Sequence, residues 1–290
     1  MEWRGRRGSR NIEDRRAQPG GLRRVSAGRA GGVGGLGLVA VLVIGYVLGI
    51  DVTPLLNGQG GIGAPAGPSA AITPADEEAA AFVSVTLADT EEIWAAVFRE
   101  QLGTEYRPAT LVLFKGATQS PCGGANGATG PFYCPADQKV YLDTAFFTTL
   151  EQRLGAGGDF AAAYVVAHEV AHHVQNRTGT LGQANAIRQR SSEAESNAIS
   201  VRIELQADCY SGIWAREASA RLGTIEPGDF EEALNAARQI GDDTLQRAAG
   251  QRPMPHTFTH GTSEQRAAWF ERGLRTGDMA ACDTFSAETL

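Results

Sequence analysis

One apolar helix constrains this chain more than any other feature of the sequence. Residues 160–176 have Ala and Val on every side, which predicts a helix buried all round rather than one with a solvent-facing stripe. His168, His172 and His173 fall within it, and unpaired imidazoles are costly in such surroundings. His168 and His172 are four residues apart, so they project from one face of the helix. The fold must therefore provide this face with a polar partner.

The spacing of that histidine pair predicts a metal site. Two neutral imidazoles one helical turn apart can share one ion, and the segment HEVAH also places Glu169 beside them. Zinc held there would polarise a water molecule, while the Glu169 carboxylate would accept its proton and return it to the leaving amine of a peptide. We therefore expect one Zn²⁺ ion and peptide hydrolysis. His173 is rotated by about 100° from His172 and is not expected to be a ligand.

A catalytic zinc site needs a third protein ligand, and a second predicted helix offers one. In VRIELQADCYSGIWA, Glu204 and Asp208 are four residues apart, so one carboxylate can reach the ion while the other supports a ligand. We expect Glu204 to be the ligand and Asp208 to accept the second ring N–H of a zinc-bound histidine. Glu193 and Glu195, in a polar stretch, are the weaker candidates. The alternative for the Glu204 and Asp208 pair is a solvated acidic face, although the helix around it is apolar.

A second constraint lies near the N-terminus, where residues 30–50 contain no charged side chain. At about 1.5 Å per residue, this run is long enough to cross the roughly 30 Å hydrocarbon core of a membrane. Residues 1–29 contain nine arginines against three acidic residues, which by the positive-inside rule predicts a basic cytoplasmic arm. A cleaved signal peptide is the alternative. The Gly-, Pro- and Ala-rich residues 51–75 predict a flexible linker, and residues 76–290 an extracytoplasmic folded domain.

The cysteines fit an oxidising compartment. All four follow the apolar run, and their number is even. Cys122 and Cys134 bracket a Gly- and Pro-rich loop, so we pair them, which leaves Cys209 for Cys282. Buried free thiols are the alternative. A zinc ribbon is excluded because no CxxC spacing exists.

The pattern of apolar residues predicts a mostly α domain with a small β element, an α+β fold. Strand-like runs are confined to residues 110–114 and 139–142, and residues 177–190 are expected to form a loop. The predicted helices are 76–88, 90–102, 143–154, 160–176, 191–222, 229–249 with a break near Gly241, and 263–274.

These motifs together resemble the bacterial neutral zinc metallopeptidase family, which is related to the gluzincins by its HExxH and ExxxD pattern. The matching stretches are MEWRGRRGSRNIEDRR, SPCGGANGATGPFYCPADQKVYLD, AYVVAHEVAHHVQ, ELQADCYSGIWA and HGTSEQRAAWFERG. The resemblance covers nearly the whole chain. It implies a single-pass membrane protein with a zincin-like peptidase domain, in which His168, His172 and Glu204 bind zinc and Glu169 is catalytic.

A second histidine group, in PMPHTFTHGTSEQR, is a candidate for stabilising the transition state. Peptide hydrolysis develops negative charge on the carbonyl oxygen, which a fixed donor near the zinc would stabilise. We favour His260, because its stretch ahead of a C-terminal helix resembles the gluzincin pattern. His256 and Tyr210 are the other candidates, and a surface or helix-capping histidine is the alternative.

The expected function is a membrane-anchored zinc metallopeptidase acting on peptides or proteins outside the cytoplasm. The alternative is a non-hydrolytic, zinc-stabilised envelope module for binding or chaperoning, which would have no need of a general base at Glu169. Residues 30–50 would contact the lipid bilayer of the cytoplasmic membrane. Residues 30–290 contain 17 basic and 30 acidic side chains, and this negative balance argues against nucleic acid as a partner.

Overall fold

The structure is a computed structural model that describes residues 1–18, 71–126 and 129–290. The predicted transmembrane helix, residues 30–50, and most of the predicted linker lie outside the described residues. Within the described ranges, no helix is both long and apolar enough to cross a membrane.

Helices make up most of the described chain, as the apolar periodicity predicts. Helix α3 contains the HExxH segment and is buried along nearly its whole length, as its uniformly apolar sequence requires. The helices are α1 (Pro74–Val97), α2 (Phe146–Gln152), α3 (Asp159–Arg177), α4 (Thr180–Arg188), α5 (Glu193–Glu217), α6 (Asp229–Gln239), α7 (Asp242–Ala248) and α8 (Ser263–Thr276).

The strands form one small mixed sheet and one hairpin. The sheet contains β1 (Ile12–Asp14), β2 (Thr110–Phe114), β5 (Phe132–Cys134) and β6 (Lys139–Asp143), in the order β1-β2-β6-β5. Strands β1, β2 and β6 are parallel, and β5 runs antiparallel to β6 at the edge. Strands β3 (Ala117–Ser120) and β4 (Gly123–Asn126) form the antiparallel hairpin. The apolar sequences of β2 and β6 fit strands that are covered on both faces.

The N-terminal residues differ from the predicted arm. Residues 1–18 pack against the domain: β1 pairs with β2, and the buried Trp3 makes an edge contact with Phe82 of α1 at 5.5 Å between ring centroids. Arg16 is also buried and donates to the Asp76 carbonyl oxygen at 2.8 Å. The expectation of a separate arm is therefore wrong for these residues. Their arginines indicated a topogenic flank, but several of them instead pair with acidic residues of the domain.

Two local predictions also fail. Helix α1 begins at a Thr73 cap with Pro74 in its first turn and continues through residues 89 and 90, where we expected a break. It continues because Asp89 pairs with Arg6 at 2.5 Å, while the Thr90 hydroxyl donates to the Leu87 carbonyl oxygen within the helix. The expected loop at 177–190 contains helix α4, which the sequence hides because few of its side chains are buried.

Helices α5 and α8 approach each other through glycines. A Cβ atom on Gly212 of α5 would overlap the Phe270 carbonyl oxygen, and one on Gly273 of α8 would overlap the Cys209 carbonyl oxygen. Only glycine permits this close backbone contact. The Cys209–Cys282 disulfide closes the same region, and Cys122–Cys134 closes the predicted loop, so both expected pairings are present.

We expect Gly212→Ala to destabilise the domain by about 1–3 kcal/mol, because the added methyl group must push two helix backbones apart. Gly182→Ala on α4 is the matched control, since a Cβ there meets no atom within 4 Å. It should be neutral or stabilise by about 0.5–1 kcal/mol. Urea unfolding of both variants measures this. Equal urea midpoints for the two variants would show that the close approach of α5 and α8 does not require a glycine at residue 212.

Candidate active site

Helices α3 and α5 bring the three predicted ligands together. Nε2 of His168 lies 3.0 Å from Oε2 of Glu204, and Nε2 of His172 lies 3.6 Å from Oε1 of the same carboxylate. One ligand atom from each residue lies within 4.8 Å of the others. This convergence requires two helices, because the histidines share a face of α3 while Glu204 faces them from α5.

The chemistry of this donor set fits zinc. Two imidazoles and one carboxylate form the ligand set of a catalytic zinc site, with a fourth position left for water. Both imidazoles present Nε2 to the site because their Nδ1 atoms have other partners. Nδ1 of His172 donates to Oε1 of Gln175 at 2.9 Å. Nδ1 of His168 lies 2.9 Å from Oδ1 of Asp208, although it is not aligned for a full hydrogen bond.

The charges around the ligands favour a cation. Burial by itself would lower the pKa of His168, but the carboxylates of Asp208 and Glu204 outweigh it and raise that pKa to about 9. Burial would raise the pKa of Glu204, yet His172 and His168 hold it well below its usual range. The carboxylates beside these histidines thus favour a bound cation, and a metal ion and protons compete for the same nitrogens.

Glu169 differs from every other carboxylate near the site. It is buried, and it forms no hydrogen bond or ion pair with any residue of the described ranges. Burial raises its pKa above the ordinary value, against the opposing effect of the two neighbouring histidines. A desolvated carboxylate with an elevated pKa is a stronger base than an exposed one.

Asp208 lies at the centre of a buried network. Its carboxylate accepts two hydrogen bonds from the Arg266 guanidinium of α8, at 2.9 and 3.0 Å, and a third from the Tyr164 hydroxyl of α3 at 2.5 Å. With His168, three groups from two helices surround it. Asp208 therefore lies next to His168, although its supporting role stays a prediction, and the fully buried Arg266 is a partner that the sequence did not reveal.

His260 also faces the site. It lines the same cavity as the three ligands, and its Nδ1 lies 3.1 Å from Oδ1 of Asp242. Asp242 also accepts the backbone N–H groups of residues 259, 260 and 261, which fixes the turn. Burial would lower the pKa of His260, but the charges of Asp242 and Glu204 raise it. A protonated imidazole is a donor at both ring nitrogens.

The other candidates lie elsewhere. His256 is exposed on a short 3₁₀ turn, and Tyr210 is buried with its ring against Trp94, so neither lines the cavity. Glu195 caps the start of α5 by bonding Ser192. His173 faces away from the ligands, as expected, where its Nε2 donates to the Arg107 carbonyl oxygen at 2.7 Å.

A cavity of about 580 Å³ opens onto the site. Helices α3, α4 and α5 form much of its lining, and the loop closed by the Cys122–Cys134 disulfide forms another wall, with Pro131, Phe132 and Tyr133. Its size is that of a pocket for a small ligand or a short peptide segment.

The sequence did not single out several residues that shape the site. Gln175 orients His172 and in turn donates to the Ile203 carbonyl oxygen at 2.7 Å. Asp242 orients His260. Helical spacing could have indicated Gln175, which is three residues from His172 on the same helix. It could not have indicated Asp242, which lies eighteen residues before His260.

Comparisons with known proteins show the family of this chain. Residues 1–285 match the family described as "Putative neutral zinc metallopeptidase", and the chain belongs to that family. The uncharacterized protein YpfJ of Escherichia coli (strain K12) is 46% identical over 293 residues, covering 98% of this chain and 99% of that protein. The uncharacterized protein Mb2605 of Mycobacterium bovis is 42% identical over 219 residues, covering 72% and 73%. No solved structure matches the chain significantly.

We expect the purified protein to bind one zinc ion and His172→Gln to lose it. The fall in affinity should exceed the roughly 10–100-fold loss that removal of an outer hydrogen-bond partner causes. His256→Gln is the matched control, since His256 is exposed and outside the cavity. Competition with a chromophoric chelator measures both affinities. If the two variants bound zinc equally, the proposed ligand set would be wrong.

Proposed function

We propose that this protein is a zinc-dependent metallopeptidase. The observation that supports it best is the Glu169 carboxylate, which has no partner among the described residues and lies beside His168, His172 and Glu204. A zinc site that only stabilised a fold would have no use for a largely buried carboxylate that faces the cavity and is outside the ligand set, because burial of such a group costs free energy. The non-hydrolytic alternative leaves this group unexplained.

The residues of the chain have separable tasks in this reaction. When bound, zinc polarises a water molecule and the peptide carbonyl group. Glu169 accepts a proton from that water and delivers it to the nitrogen of the leaving amine. Asp208 and Gln175 keep the two imidazoles oriented with Nε2 toward the ion, which holds the reacting groups in place.

His260 is the proposed donor to the carbonyl oxygen as that oxygen becomes negative. Its side chain is 25% exposed toward the cavity, and Asp242 both orients it and favours its protonated form. A preorganised charged donor stabilises the developing oxyanion more than the ground-state carbonyl.

The test is peptide cleavage by the zinc-loaded protein and by Glu169→Gln. We expect the variant to bind zinc normally, since Glu169 is outside the ligand set, and to cleave about 10²–10⁴ times more slowly. Glu193→Gln, an exposed residue at the start of α5, is the matched control and should cleave like the wild type. A zinc-loaded wild type without cleavage, or a Glu169→Gln variant with full activity, would favour the binding module.

We also propose that residues 30–50 contact a membrane and that the folded domain lies outside the cytoplasm. The two disulfides support an oxidising compartment. The pairing of β1 with β2 adds a constraint, because strands of one sheet must lie on the same side of a membrane. A single crossing between them would separate them. Residues 1–18 should therefore accompany the domain rather than remain in the cytoplasm.

Cysteine labelling tests this arrangement. Arg10 and Glu288 are exposed, and the native cysteines are disulfide-bonded, so Arg10→Cys and Glu288→Cys each introduce one reactive thiol. We expect an impermeant maleimide to label both variants in bacterial spheroplasts. Labelling of Glu288→Cys alone would indicate a single crossing with a cytoplasmic N-terminus, and labelling of neither would place the domain in the cytoplasm.

A further inference from the structure

The lining of the active-site cavity includes a guanidinium that forms no ion pair with the described residues. Two arginines line the cavity, Arg188 and Arg266. Arg266 is committed to Asp208, whereas Arg188 forms no ion pair with any residue in the part of the chain that the structure describes. The positive charge of Arg188 is therefore available to a molecule that enters the cavity.

Two hydrogen bonds hold the Arg188 side chain in place and leave its other N–H groups without a partner in the described chain. Nε of Arg188 donates to the Ser196 hydroxyl at 3.3 Å, and Nη1 donates to Oδ1 of Asn185 at 3.1 Å. A guanidinium has five N–H groups, so those remaining on Nη1 and Nη2 have no partner within the described ranges. The edge formed by Nη1 and Nη2 of a guanidinium matches the two oxygens of a carboxylate.

The partial burial of Arg188 makes an anion at its guanidinium favourable. Arg188 is partly buried at the end of α4, and this burial lowers its pKa, although the charge of Glu204 opposes the effect. A metal ion bound by Glu204 would offset the negative charge of that carboxylate. Glu204 would then stabilise the positive charge of Arg188 less. Burial removes hydrogen bonds between the Arg188 guanidinium and water. A carboxylate that binds the guanidinium would replace them.

We propose that Arg188 binds a carboxylate of the peptide substrate and makes the enzyme selective for peptides that present one in the cavity. The inference rests on the proposed peptidase function, because it names the substrate class of the same cavity. The carboxylate can come from the C-terminus of the peptide or from an Asp or Glu side chain. Arg188 is a specificity residue and does not take part in the proton transfers.

Binding of three peptide hydroxamates to the zinc-loaded, full-length protein tests this without requiring turnover. The first probe has a Gln side chain and a free C-terminal carboxylate. The second has the same Gln but a C-terminal carboxamide, so it is neutral. The third keeps the carboxamide and has Glu in place of the Gln. We expect at least one carboxylate probe to bind about tenfold or more tightly than the neutral one by calorimetry. The first probe identifies a C-terminal carboxylate, and the third an acidic side chain.

The matched variants separate a direct contact from a general charge effect. Arg188→Gln should abolish the carboxylate advantage, and Arg188→Lys should retain part of it because a lysine keeps the charge but loses the planar fork. Arg190→Gln, at an exposed arginine two residues away, should keep the full advantage. Thermal unfolding confirms that each variant is folded.

The outcomes for Arg188 and for the peptidase are distinguishable. If the wild type shows no carboxylate advantage, or if Arg188→Gln keeps it, the inference about Arg188 is wrong, even when peptides are cleaved. If the advantage depends on Arg188 and yet no peptide is cleaved, the proposed peptidase function fails and the carboxylate site stands.

Discussion

The contact between Asp208 and its donors is the interaction on which the site depends. A fully buried carboxylate is tolerated only when cations and hydrogen-bond donors surround it, and here they come from Arg266, Tyr164 and His168. These residues belong to α8 and α3, while Asp208 belongs to α5. One carboxylate thus joins the three helices, and removing Arg266 would leave the buried charge of Asp208 without the guanidinium that compensates it.

The same principle recurs at each imidazole of the site. His168 has Asp208, His172 has Gln175, and His260 has Asp242, so the orientation of every ring is set by a partner on its Nδ1 side. Glu169 is the exception among these polar groups, since it has no partner in the described chain. An uncommitted carboxylate beside oriented imidazoles is the group that the proposed proton transfers would use.

Sequence spacing could predict those site residues that occur in pairs on the same helix. The period of the α-helix puts His168 and His172 on one face and separates Glu204 from Asp208 by one turn, so spacing alone predicted that the members of each pair lie together. Asp242 and Arg266 were missed because each meets its partner across a gap between elements. Arg188 was missed because α4 has too few buried side chains to show a helical period.

The N-terminal residues illustrate a different failure. Arginines in residues 1–18 have the composition of a topogenic flank, and composition does not distinguish such a flank from a segment whose arginines pair with a folded domain. Strand β1 is only three residues long, and its pairing partner β2 lies about a hundred residues away. A strand this short contains too little pattern to be recognised by itself.

The sequence by itself determined the chemistry that each helix can offer: the candidate ligand pair, the proposed general base and the proposed supporting carboxylate all follow from local spacing. The tertiary structure decided which of these groups meet. It placed Glu204 against the histidines, gave Asp208 its arginine and set Arg188 in the cavity lining. The physical reason is that helical period is a property of a few neighbouring residues, whereas burial and ion pairing depend on which distant segments pack together.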